Sequence, residues 1–560
     1  MSEPDIFGPG GDYEITRIEQ DGYSGPAFKK VWPSLRHLYD HAAAYGDRPF
    51  LVFEGKRYSY GEFFGEVREL AHLLQERYAV SPGDRVAIIM QNNPQWLTAF
   101  AAVTGLGAIA VAVNSWGRGE ELQQALNHVS PKLVFIDPRR LDRLLGEGPV
   151  KCDLIVGGTD QDQVAGYPGY HTLLKEVEDG DNWPTPCPST DDPALIMFTS
   201  GTTGNARGAL FRHGAIAQSL KNLAFSGYMV GGAIYQKMLK AGITPDPTMD
   251  FQPTALLAFP LFHVAASHAV FLMNLQIGGR IIMVPKWDVG EVLSLVEKEG
   301  ITSLSGVPAM MWDVLHHPDR NNHNLDSLVA LGIGGAPETP DGVARLQAAF
   351  PRTVLGTGYG MTEVGGTIAT NTGDDYLNRA LSAGRILPSV QIRVIDDQGH
   401  NLPTGECGEI LIRSAAAFDG YWDDPEATAA MMQDGWLHSG DFGYVDKEGF
   451  IFITGRIKDM VLSGGENISC AELEHLLQEH DQIREVAAFG LPDDRLGEIP
   501  AVAIIPSPGS SLSESDVQDY VAAHLAHFKV PKQVIFTDQP FPRTALGKII
   551  KPDLLKQLGL

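Results

Sequence analysis

One stretch constrains the fold of this chain more than any other. An apolar run at residues 194–198 stops abruptly at Thr199 and gives way to Ser200-Gly-Thr-Thr-Gly204, with Arg207 and Gly208 just beyond. The run reads as a short buried strand. Glycines let a backbone turn its N–H groups inward around a polyanion, and the hydroxyls of Thr199, Ser200, Thr202 and Thr203 add further donors. Arg207 supplies a planar charged fork suited to phosphate. An ordinary flexible turn is the commoner meaning of such clusters. Three threonines, a serine and an arginine among three glycines favour a phosphate loop instead. It is not a Walker A loop, because no Gly-Lys-Ser/Thr closes it into a helix.

At 560 residues the chain exceeds one hydrophobic core, so at least two domains are expected. Its apolar fraction of 44% and charged fraction of 20% are those of a soluble globular protein. The formal balance, 43 − 69 = −26, argues against non-specific binding to nucleic acid or anionic membranes. Phosphate ligands must therefore meet local cations. Cys152, Cys187, Cys407 and Cys470 lie far apart without metal-ligand spacing, as expected of reduced thiols in a cytoplasmic protein. The first residues show neither a basic region nor an apolar core, so no signal peptide is expected. The apolar run 96–113 is divided by Gly105 and Gly107, which suits a buried helix followed by a strand better than a transmembrane span. The final Leu558-Gly-Leu560 is no peroxisomal address.

Residues up to about 55 read as a partly irregular lead-in segment. Ser59-Tyr-Gly-Glu62 is a capping box opening a helix with Phe63, Val67, Leu70 and Leu74 on one face. Runs 86–90 and 134–136 read as buried strands between helices, an α/β pattern. The proline-rich stretch 184–188 is a stiff linker into the phosphate-loop strand. Residues 227–254 read as an irregular insertion around a short helix at 233–240, of the kind that forms lids and binding loops. Alternating runs 391–395 and 409–413 predict antiparallel strands. Composition changes near Gly455. Beyond it, Ser469-Cys-Ala-Glu472 is a second capping box, and strands at 486–489, 501–505 and 533–536 with a helix near 517–525 make a small α+β domain.

Other constellations carry chemistry. Gly358-Tyr-Gly-Met-Thr-Glu363 surrounds an aromatic with glycines so that a flat base can stack on Tyr359. Its Thr362 offers a hydroxyl, and Glu363 a hard oxygen ligand of the kind that holds Mg²⁺ beside phosphate. The small residues Gly332-Ile-Gly-Gly-Ala-Pro337 allow a ring to approach the backbone. Ser439-Gly-Asp441 places a carboxylate where it can accept ribose hydroxyls. Gly455-Arg-Ile-Lys-Asp459 is a charged, hinge-like connector, Ser463-Gly-Gly-Glu-Asn467 a flexible loop, and Thr544-Ala-Leu-Gly-Lys548 a turn presenting a lysine.

Together these motifs resemble the adenylate-forming superfamily of acyl- and aryl-CoA synthetases, luciferases and peptide-synthetase adenylation domains. The likeness runs from about residue 32 to 552, with the motifs in the family's order, including Gly420-Tyr-Trp422. It implies a large, multi-subdomain N-terminal α/β domain, residues 1–457, and a small mobile C-terminal α+β domain, residues 458–560, hinged at Lys458. By resemblance, Thr199, Ser200, Gly201, Thr202, Thr203, Gly204 and Arg207 cradle the ATP triphosphate. Gly335, Ala336, Pro337, Gly358, Tyr359, Gly360 and Met361 hold the base. Thr362 meets the α-phosphate, and Glu363 is the Mg²⁺ ligand. Asp441 and Arg456 take the ribose, Lys548 joins carboxylate to α-phosphate, and His263 guards the acyl pocket. Gly464, Gly465 and Glu466 face the thiol of coenzyme A once the small domain has turned. One departure stands out: Ala206-Arg207-Gly208 replaces the family's usual Pro-Lys-Gly, changing the shape and reach of the cation.

The resemblance implies a two-step ligase. A carboxylate attacks the α-phosphorus of ATP to give acyl-AMP and pyrophosphate, and a thiol then displaces AMP to give a thioester. Segments 259–266, 331–336 and 358–366, expected near the acyl group, carry few charges, which suits an apolar fatty or aromatic acid. Ligation to free coenzyme A is the leading reading, since Gly464-Gly-Glu-Asn-Ile468 resembles the CoA-ligase version of that loop. Loading of a separate carrier protein, a luciferase-like oxygenase, and an inactive nucleotide-binding homologue stay open as alternatives. No nucleic-acid partner and no integral membrane segment are expected, and a homodimer is an admissible assembly.

Overall fold

The computed structural model describes residues 6–20, 23–177, 182–199, 207–244, 251–335, 338–456, 459–463, 466–493, 495–544 and 547–560. Three main sheets organise them. In the first, Arg85–Ile89 lies parallel to both Ile109–Ala112 and Leu133–Ile136, and Pro193–Thr199 extends the parallel set beside Ile109–Ala112. These strands are buried almost without a break, as strands covered by helices on both faces must be. The run 96–113 divides as expected, into the helix Pro94–Gly105 and the strand Ile109–Ala112.

The second sheet carries the parallel strands Ser303–Gly306, Ala330–Ile333 and Val354–Met361, followed by the antiparallel strand Gly366–Thr372. The paired strands Val390–Ile395 and Gly408–Ser414 stand near its edge, matching the alternation in the sequence. The third sheet has its own two apolar clusters, one around Leu473, Val502 and Val521 and one around Phe489, Phe541 and Leu554. Its long hairpin, Ile483–Asp493 with Gly497–Pro506, is covered by Cys470–Gln478 and Glu514–His524. This is the small α+β unit expected beyond residue 455.

The first capping box forms in full. Glu62 N–H donates to Ser59 Oγ at 3.1 Å, and Ser59 N–H donates to Glu62 Oε2 at 2.7 Å. The second forms only in half. Ser469 Oγ accepts from Glu472 N–H, but the Glu472 carboxylate does not return the bond and is turned instead to Lys529 Nζ, at 2.7 and 2.6 Å.

Two expectations are corrected. The lead-in segment is more regular than its sequence suggests, with a hairpin of Ile15–Gln20 and Tyr23–Phe28, the helix Leu35–Ala43, and the strand Pro49–Phe53 set in the second sheet. Residues 227–240 are no irregular insertion. They complete a continuous helix, His213–Lys240, that carries Gly227, Gly231 and Gly232 inside it. Glycine weakens a helix without forbidding it, and this one is held along its length by the second sheet. Among the described residues no helix is long and apolar enough to cross a membrane, and all four cysteines are free.

Candidate functional site

A cavity of about 1240 Å³ opens at the carboxyl ends of the parallel strands and gathers most of the described candidate residues. Thr199, Arg207, His263, Gly335, Gly358, Tyr359, Gly360, Met361, Thr362, Glu363, Arg456 and Lys548 all contribute to its wall. Ser200, Gly201, Thr202, Thr203, Gly204, Ala336, Pro337, Lys458, Gly464 and Gly465 lie outside the described residues. Glu466 belongs to the strand Glu466–Ser469 of the third sheet.

The phosphate-loop hairpin is set by its register. Thr199 pairs with Arg207 across the antiparallel strands Pro193–Thr199 and Arg207–Arg212. The short strand Gly420–Tyr421 adds to the outer edge of that hairpin. Tyr421 then ties two candidates together. Its hydroxyl donates to Glu363 Oε1 at 2.8 Å, and the Arg207 guanidinium lies 5.5 Å from its ring centroid. Arg207 Nε also faces Asp424 Oδ2 at 3.5 Å. A planar guanidinium can stack on an aromatic ring where an ammonium would only hover, so the departure at 207 has a structural partner in this chain. The sequence motif at 420–422 points to the segment but assigns Tyr421 no role.

Tyr359, Asp441 and Arg456 form a second linked group. The Tyr359 hydroxyl donates to Asp441 Oδ2 at 2.6 Å, and Arg456 Nε forms an ion pair with Asp441 Oδ1 at 2.8 Å. Asp441 is buried just behind the cavity wall. Each carboxylate oxygen retains a lone pair beyond these bonds, so ribose hydroxyls can join an arrangement already fixed. Burial, followed by the neighbouring Asp441 charge, raises the Tyr359 pKa and keeps its hydroxyl a donor.

Glu363 is also buried, and that burial raises its pKa above the ordinary carboxylate value. A nearby cation would favour the ionised form. Among the described residues no cluster of three or more His, Cys, Asp or Glu side chains exists to hold a metal. Mg²⁺ commonly takes one or two carboxylates with phosphate oxygens and water completing its shell, and a single fixed glutamate fits that donor set. His263 caps the short helical turn Val264–Ala266, and burial lowers its pKa to about 4. It is neutral at neutral pH. A π-helical segment, Ser267–Leu272, follows and turns Ala269 and Val270 into the cavity wall.

Lys548 arrives from the third sheet's side of the molecule. Gly547, at φ +76°, closes a turn in which Gly547 N–H donates to Thr544 O and Thr544 N–H to Lys548 O, each at 2.8 Å. The cavity thus brings three cations, Arg207, Arg456 and Lys548, around one polar end. Its other end is walled by Leu223, Val230, Ile234, Val264, Ala269 and Leu331. The polar end can neutralise a polyphosphate, and the apolar end can bury an uncharged organic group.

The chain matches the AMP-binding enzyme family over residues 38–422 and the AMP-binding enzyme C-terminal domain over residues 472–548. It is 33% identical over 532 residues to a feruloyl-CoA synthase from an Amycolatopsis species, covering 94% of this chain and 98% of that one. It is 32% identical over 517 residues to the indoleacetate–CoA ligase of Aromatoleum aromaticum, covering 92% and 96% respectively. The solved o-succinylbenzoate CoA synthetase of Bacillus subtilis, in complex with its acyl-adenylate intermediate, aligns with a TM-score of 0.75 at 26% identity, over 94% of this chain and 98% of that one.

Proposed function

This chain belongs to the AMP-binding enzyme family, and from that premise we propose that it is an AMP-forming ligase joining an apolar carboxylic acid to coenzyme A. The observation that carries the reading is one cavity with three cations and a buried glutamate at its polar end and an uncharged, largely apolar wall with scattered hydroxyls at the other.

A carboxylate is a poor electrophile, because it is anionic and would have to expel oxide. In the first step a carboxylate oxygen attacks the α-phosphorus of ATP, the bond to the bridging oxygen breaks, and pyrophosphate leaves with that electron pair. The chain's contribution is to align the two anions and offset their charge. Arg207, steadied on Tyr421, serves the outer phosphates, and Thr362 and Lys548 serve the α-phosphate and the incoming carboxylate. Tyr359 and the Asp441–Arg456 pair seat the nucleoside. Glu363 would hold Mg²⁺, which when bound supplies positive charge against the phosphates. Neutral His263 lines the cavity beside Val264 of the apolar wall.

In the second step the thiol of coenzyme A attacks the acyl carbon and gives up its proton to solvent, and AMP leaves with the electrons of the mixed anhydride bond. Phosphate-facing cations and a thiol channel are needed at the same carbonyl in turn. A small domain, residues 458–560, that turns about Lys458 and exchanges Lys548 for the segment 464–466 meets that need. We place the reaction in the cytoplasm, in keeping with four free thiols.

The test is pyrophosphate release with ATP over a panel of fatty and aryl acids, followed by addition of coenzyme A. Acid-dependent release and a CoA thioester are expected. Release that yields thioester only on a carrier protein would replace the CoA reading, and no release with any acid would end the ligase reading.

A further inference from the structure

The cavity extends well beyond the space a nucleotide occupies, and two walls measure it. The helix His213–Lys240 runs opposite in direction to the strand Val354–Met361. Ser219 Oγ donates to Gly365 O just past the strand's end, Ser226 Oγ meets Thr370 Oγ1 at 2.7 Å, and Lys237 Nζ donates to Thr353 O at 2.8 Å just before the strand's start. Leu223, Ser226, Gly227, Val230, Gly231 and Ile234 of this helix line the cavity. Their spacing is that of a single helix face. From Leu223 to Ile234 the helix rises about 17 Å. On the opposite wall, the strand from Tyr359 back to Val354 covers about 17 Å.

This long half is uncharged. Every Asp, Glu, Lys and Arg among the described lining residues, namely Arg207, Glu363, Glu409, Arg456 and Lys548, belongs to the nucleotide end. The far end is marked by Phe251 and Pro253. Glycine weakens a helix, so Gly227 and Gly231 call for a reason. Packing within the protein does not supply one, because a Cβ added at either position meets no atom within 4 Å. What their missing side chains preserve is the width of the cavity beneath the helix.

We propose that the acid this enzyme activates has an elongated, uncharged apolar body that lies along the glycine face of the helix and reaches past Gly231 toward Phe251. Gly227 and Gly231 are the specificity-determining positions that keep that path open. A single-ring acid fills only the near part of it. The proposal rests on reading this cavity as the joint site for acid and ATP.

The experiment compares kcat/KM for pyrophosphate release with octanoate, dodecanoate, hexadecanoate and ferulate. In the unmodified enzyme kcat/KM rises roughly fourfold per added methylene until the length is filled, and dodecanoate exceeds ferulate on the order of tenfold or more. Gly231→Leu lowers the dodecanoate-to-octanoate ratio on the order of tenfold, while KM for ATP stays unchanged. Gly231→Ala moves that ratio the same way by less, in a helix that alanine strengthens, so a folding defect is not the cause. A ratio unmoved in both variants overturns the proposal. Turnover of ferulate and its like without the alkanoates overturns it too, and leaves the ligase reading standing. Silence with every acid removes both.

Discussion

Lys548 meets two opposed influences. Crowding by the surrounding protein, with repulsion from Arg456 next, lowers its pKa from the ordinary 10.5, while Asp459 and Asp441 pull the other way. The unfolded chain therefore holds this proton more tightly than the folded one, and the group favours folding more as pH rises. Only the protonated amine can offset a carboxylate meeting a phosphate. Adenylation kcat/KM should accordingly fall as pH rises through a pKa below the ordinary lysine value, since kcat/KM reports the free enzyme. In Lys548→Arg that alkaline limb should vanish, because guanidinium stays charged. In Lys548→Ala adenylation should drop on the order of a hundredfold, with thioester formation from supplied acyl-AMP largely kept. A limb that persists in the arginine variant would assign it to another group. At this scale the sequence announces residue types but not their pairings. Its motif gives Asp441 to ribose alone, yet that carboxylate is bound by Tyr359 and Arg456. Tyr421 links Arg207 to Glu363 across a strand pairing that no local pattern encodes.

Elements are legible where their signals are local. The box at Ser59 and the strand ending at Thr199 follow from neighbours a few residues apart, and both form as read. The helix at 233–240 is legible, but its continuation through 227–232 does not follow, because Gly227, Gly231 and Gly232 argue for a loop by propensity, and the sheet that supports the helix is distant in sequence. The hidden half of the box at Ser469 has the same cause, since Lys529 claims Glu472 from another element. Gly232 offers a check on this account. It is exposed, lies outside the cavity lining, and has nothing within 4 Å of an added Cβ. Gly232→Ala should therefore stabilise the helix by about 1 kcal/mol, seen as a higher urea midpoint, with kcat and KM unchanged. An unchanged midpoint would mean that residues around 232 are not helical in solution.

At the scale of the whole molecule, the arrangement suits one half of the proposed reaction. Lys548 lines the cavity beside Arg456, and Ser469 Oγ donates to Thr454 O across the join between the second and third sheets. A lysine there suits the anhydride-forming step of the proposed reaction. On the proposed reading the second half calls for a turn of the small unit about the charged segment 455–459. A hinge that serves two poses needs a residue able to take two backbone conformations, whereas proline is held near one φ value. Lys458→Pro should hold the unit in whichever pose that φ permits. If it is the lysine-in pose, ATP–pyrophosphate exchange persists while thioester formation falls on the order of a hundredfold. If it is the other pose, exchange is lost and thioester formation from supplied acyl-AMP survives. Equal loss, or no loss, in the two half-reactions would mean that the two chemistries share one arrangement, and the turn about Lys458 would have to be abandoned.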